Sequence, residues 1–144
     1  MNARVVAVCL GVLAACGSEP APVSDAEYLS DLQSICVDTT ATLDALPRPP
    51  EQISVADFAT SAAGALDNEA ERTRALDVPD DLAGDHRAFV RNTDEQVVAW
   101  RAIATVGDDS ARLDELTVRI GELIRGRNDL VDEMGATDCR RGDV

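Results

Sequence analysis

Residues 107–135 read GDDSARLDELTVRIGELIRGRNDLVDEMG, and their spacing decides the fold. Apolar side chains fall at Leu113, Leu116, Ile120, Leu123, Ile124, Leu130, Val131 and Met134. Steps of three and four residues place them along one face of an α-helix. Gly107-Asp108-Asp109-Ser110 breaks the preceding helix and caps this one. Gly135 suits the left-handed conformation that closes a helix at its C-terminus.

The same periodicity recurs three times upstream. A helix from about Asp81 to Thr105 carries Leu82, Phe89, Val90, Thr93, Val97, Trp100 and Ile103 on its stripe. The turn Asp77-Val78-Pro79-Asp80 separates it from a helix that starts at Ser54, with Asp57 three residues on. That helix carries Val55, Phe58, Ala59, Ala62, Leu66, Ala70, Thr73 and Leu76. Its many Ala let a neighbour approach closely, and Gly64 weakens it by ~1 kcal/mol relative to Ala. The first helix opens on the capping box Ser24-Asp25-Ala26-Glu27 and carries Tyr28, Leu29, Leu32, Ile35, Cys36, Thr39, Leu43 and Leu46. Pro47-Arg48-Pro49-Pro50 stops it, because proline lacks a donor and clashes with the preceding turn. No sustained period-two run competes. The fold class expected is therefore all-α: an antiparallel up-down four-helix bundle spanning residues 24–144.

The chain has 144 residues, enough for one domain, and a net charge of −14. An acidic balance of this size excludes the basic footprint of a nucleic-acid binder. Aromatics make up 3%, so Leu, Val, Ile and Ala must build the core.

Met1 to Arg4 is a short segment with one positive charge, and Val5 to Ala15 is apolar. Eleven apolar residues are too few to span a hydrocarbon core of ~30 Å but have the length of a signal-peptide core. Leu13-Ala14-Ala15-Cys16-Gly17 resembles the lipobox of bacterial lipoproteins, in which small residues precede the Cys that receives diacylglycerol. The resemblance implies a signal peptide over 1–15, lipidation at Cys16 and a tether over 16–23. It implies a protein held by lipid at the extracytoplasmic face of the cell membrane. Two acyl chains anchor stably, at ~0.8 kcal/mol per buried CH₂. The alternative is secretion by a soluble-type peptidase cutting near Ala15.

Of the four Cys, Cys9 leaves with the signal peptide and Cys16 carries lipid. Cys36 and Cys139 remain, and an exported compartment is oxidising, so a Cys36–Cys139 disulfide is expected. In an up-down bundle the start of helix one and the end of helix four share one end, and the residues after Met134 can fold back to Cys36. The alternative, two free redox thiols, has no C-x-x-C pair and no basic neighbourhood at Cys36 to favour it. With a Cys in the first helix and the terminal element Met134-Gly135-Ala136-Thr137-Asp138-Cys139, the chain resembles small exported helical domains of actinobacteria. The resemblance implies a helical, disulfide-tied fold and no activity.

No catalytic constellation stands out. His86 alone could act as a triad base, and no G-x-S-x-G elbow supplies a nucleophile. No catalytic residue, metal ligand or cofactor is assigned. Asp80, Asp81, Asp85, Asp108 and Asp109 lie near helix N-termini, where they read as caps rather than cation ligands. Phe58, Phe89 and Trp100 fall in helical register and read as core. Glu115 and Arg119 read as an outer-face pair. The tripeptide Arg141-Gly142-Asp143 spells an adhesion motif, but three residues of this composition also arise by chance. The expectation is a non-enzymatic, lipid-anchored module that binds or scaffolds an envelope component, or alternatively carries a small apolar ligand or lipid within the bundle, in a cavity between the Ala-lined second and third helices. Its partners would be the membrane, through Cys16, and an envelope protein or such a ligand.

Overall fold

The computed structural model describes residues 23–142. The signal peptide over 1–15, the lipidation site Cys16, nearly all of the tether and Asp143 lie outside the described residues. The fold is all-α. Four helices follow one another: α1 (Asp25–Asp44), α2 (Val55–Arg74), α3 (Ala83–Thr105) and α4 (Ser110–Met134), with a terminal 3₁₀ turn η1 at Thr137–Cys139. Among the described residues there is no strand. No helix among them is long and apolar enough to cross a membrane.

Local chemistry sets the boundaries. The Glu27 N–H donates to Ser24 Oγ at 3.2 Å, the Asp57 N–H to Ser54 Oγ at 3.0 Å and the Arg112 N–H to Asp109 Oδ1 at 3.0 Å. Each bond satisfies a donor that the first helical turn leaves open. At Gly135 the backbone turns left-handed with φ 78°. The Ala136 N–H then reaches the Val131 carbonyl and the Gly135 N–H reaches that of Asp132, a Schellman closure. The third helix departs from expectation. It begins at Ala83, two residues late, and Leu82 at its cap position supplies no side-chain bond. Asp80 and Asp81 therefore precede the helix without capping it.

Sequential helices pack on one another, α1 on α2, α2 on α3 and α3 on α4. Cross-helix pairs run in opposite register. Asp67 meets Arg101 while Arg74 meets Asp94, and Glu95 meets Arg119 while Asn92 bonds the Leu123 carbonyl. This is compatible with the up-down order. Arg119 also approaches Glu122, and Glu115 is taken by Arg112, so the expected Glu115–Arg119 pair gives way to these contacts.

The expected disulfide is present. Cys36 and Cys139 are bonded with their Cα atoms 5.0 Å apart. Through it η1 lies against both α1 and α4, and the C-terminal segment closes the bundle between them. Apolar burial falls into two clusters. One gathers Tyr28, Leu32, Phe89, Val131 and Met134 around the disulfide, and the other gathers Ala59, Ile103, Leu116, Ile120 and Ile124. In α3 and α4 a polar step separates them: Thr93 and Gln96 on α3, Arg127 on α4, all buried.

Candidate functional site

The polar layer is built around Arg127. Its guanidinium and the Glu69 carboxylate are both fully buried, 0% exposed. Arg127 Nη2 donates to Glu69 Oε1 at 2.7 Å and Nη1 to Oε2 at 3.3 Å, a two-pronged pairing. The other N–H groups are also engaged: Nε with the Cys139 carbonyl at 3.2 Å, Nη1 with Thr93 Oγ1 at 3.1 Å and Nη2 with Cys36 Sγ at 3.4 Å. A guanidinium carries five donors. Each has a partner here, which is what makes its burial tolerable. The Phe89 ring lies under the guanidinium at 4.3 Å, adding a cation–π contact. Burial first, and Arg141 second, lower the Arg127 pKa to about 10, against the pull of Glu69. The group stays charged at neutral pH.

Arg141 enters the same layer from the C-terminal segment. Its Nη2 donates to Glu69 Oε2 at 2.5 Å and its Nη1 to Gln96 Oε1 at 3.0 Å. Asn128 holds its backbone on both sides, accepting from the Arg141 N–H and donating to the Arg141 carbonyl, each at 2.9 Å. The side chain is 8% exposed, and its Nε is buried without a hydrogen-bond partner. Two guanidiniums thus share one carboxylate.

Arg141 also forms part of a cleft of about 260 Å³ bounded by α1, the α1–α2 connection, α2, α3, α4 and the C-terminal segment. Thr40, Leu43, Ala62, Leu66 and Ile124 line it beside Phe58 and Trp100. The two rings meet edge to face, centroids 5.6 Å apart. Arg48 stands at the exposed rim, over Phe58 at 5.8 Å and 3.7 Å from Asp44. Of the three aromatics expected in the core, only Phe89 is fully buried. Phe58 and Trp100 are half-buried and form a wall of this cleft. The Ala-rich α2 packs most extensively on α3, and residues of both helices line the cleft.

The other expectations separate as follows. Cys36 and Cys139 are joined, and Cys36 has a basic neighbour after all, Arg127, which the linear sequence hides. His86 packs edge to face on Tyr28, with its Nδ1 3.1 Å from the Tyr28 hydroxyl. Burial, then Arg87, lower its pKa, which suits a neutral ring accepting the hydroxyl proton. Burial, then Asp85, push the Tyr28 hydroxyl up to about 12, so it remains a donor. Among the described residues no group of three or more His, Cys, Asp or Glu is placed to hold a metal ion.

Glu69 and Arg127 are absent from the sequence-based expectations, and Arg141 enters them only through the adhesion tripeptide, whereas the structure pairs it with Glu69. For the first two a signal existed. Arg127 falls between Ile124 and Val131 at the next position of the apolar stripe, and Glu69 falls between Leu66 and Thr73 in the same way. A charge in a core register marks a buried pair. Arg141 lies beyond the last helix, where no periodicity exists to read. No family model, characterised protein or solved structure matches the chain.

Proposed function

We propose that this protein is a lipid-anchored, extracytoplasmic helical binding module of the cell envelope, and that its ligand is a small, largely apolar molecule seated in the Phe58–Trp100 cleft. The observation that carries the reading is the cleft itself. It is concave, bordered by residues of all four helices and the C-terminal segment, and combines an apolar wall with a few polar groups, the usual makeup of a small-ligand site. Its 260 Å³ exceeds the ~150 Å³ of an apolar cavity that accepts benzene. The anchor rests on Leu13-Ala14-Ala15-Cys16, and the Cys36–Cys139 disulfide suits the oxidising side of a membrane. No catalytic role is proposed.

Native mass spectrometry of the protein released gently from host membranes tests this. A bound small molecule is expected, and Thr40→Phe, at a partly buried lining position, should weaken or remove it. A ligand-free spectrum for the unsubstituted protein, or a ligand fully retained by a folded Thr40→Phe, would refute the assignment. In the same host Cys16→Ser should release the protein from the membrane or leave an uncleaved precursor.

A scaffold role has its own support. An open groove of about 590 Å³ runs along α3 and α4 past Arg91, Arg112 and Arg119, beside Val98, which is 66% exposed. A reproducible crosslinked envelope partner, lost in Val98→Asp, would favour that reading.

A further inference from the structure

The cleft's charge is at odds with the rest of the chain. The protein carries 27 acidic and 13 basic side chains, yet the cleft is lined by Arg48 and Arg141 against the single carboxylate of Asp44. Behind its wall, Arg141 and Arg127 share Glu69 alone, so the buried layer holds one more positive than negative group. Arg141 leaves its Nε donor unpartnered in the protein. A buried surplus charge beside an unpartnered buried donor is costly unless an anion offsets it. At the same cleft, Phe58 and Trp100 present an apolar surface.

Resting on the reading of this cleft as a binding site, we infer that it takes a small organic carboxylate, one ring or short acyl chain bearing a single acid group, with the acid toward Arg141 and the apolar part against Phe58 and Trp100. Arg141 supplies the deep positive group and Arg48 the one at the rim. Asp44 at the rim disfavours a second negative charge on the ligand, and the cleft volume limits its size. The disulfide at Cys139 fixes the chain two residues before Arg141, so the charge is held in position by a covalent bond.

Trp100 is the chain's single tryptophan and reports on the cleft directly. The full-length, disulfide-bonded protein is titrated with benzoate and with benzamide, its neutral counterpart, following Trp100 emission and heat. Benzoate is expected to bind at least tenfold more tightly. Arg141→Met, with its helicity checked by circular dichroism, should bring the two within about twofold. Should Arg141→Met fail to fold, Arg48→Met at the exposed rim should narrow the preference about threefold. Equal affinity for both probes in the unsubstituted protein would overturn the carboxylate assignment and leave the cleft as a neutral-ligand site. A tenfold preference that survives both substitutions would overturn it as well, because the acid would then be read elsewhere. No response to either probe would overturn it together with the binding role of the cleft.

Discussion

Arg127 and Glu69, 58 residues apart, face each other across the bundle interior with neither side chain reaching solvent. Their two-pronged contact ties α4 to α2. Through the bonds from Arg127 to the Cys139 carbonyl and the Cys36 sulfur it also binds that pair to the C-terminal closure. A buried ion pair gains little over a well-packed apolar pair, but removing one partner strands the other.

Glu69→Gln should therefore be severe. It leaves Arg127 and Arg141 buried without a negative partner, and a loss of ~3–5 kcal/mol is expected. Urea unfolding followed by circular dichroism measures it. A loss under ~1 kcal/mol would mean that water or another group compensates the two guanidiniums.

The crosslink should matter for both stability and placement. The double substitution Cys36→Ala and Cys139→Ala opens a loop of 103 residues in sequence separation and should cost ~2–4 kcal/mol. Amide exchange should then show the Arg141 N–H, now bonded to Asn128 Oδ1, losing protection before the helix interiors do. Simultaneous loss everywhere would show that the C-terminal segment does not open on its own.

Acid should weaken the fold through His86. Its folded pKa lies below the ordinary 6.5, because burial, then Arg87, disfavour the imidazolium. Below pH 6.5 the unfolded chain takes up a proton that the folded chain refuses, so this contribution is present above that pH and fades as pH falls through the folded value. Urea midpoints at pH 7.5 and 5.5 should differ less in His86→Gln than in the unsubstituted protein. Identical differences would remove His86 from the account.

Two glycines should respond in opposite directions. Gly135 sits at φ 78°, where a side chain is strained, and Gly135→Ala should cost ~1–2 kcal/mol. Gly64 lies within α2, and a Cβ there meets no atom within 4 Å. Gly64→Ala should add ~0.5–1 kcal/mol. Thermal unfolding of the two variants checks both signs.

The sequence by itself determined the four helices and most of their ends, the start of α3 excepted. Apolar steps of three and four, Ser24, Ser54 and Asp109 as caps, and Gly135 as a stop act within a turn or two of the chain, so they survive reading in one dimension. Cysteine parity likewise pointed to the Cys36–Cys139 bond. What only the tertiary structure decided is where charge is buried and where space is left open. Glu69, Arg127 and Arg141 come from three distant segments, and whether a guanidinium can be desolvated depends on partners that no local window contains. Phe58 and Trp100 keep the register of core residues, yet they border a cleft, because packing of α1 and the C-terminal segment against α2 and α3 fixes how far each stripe is covered. Periodicity sets which face of a helix turns inward; only the assembled neighbours set what it meets there.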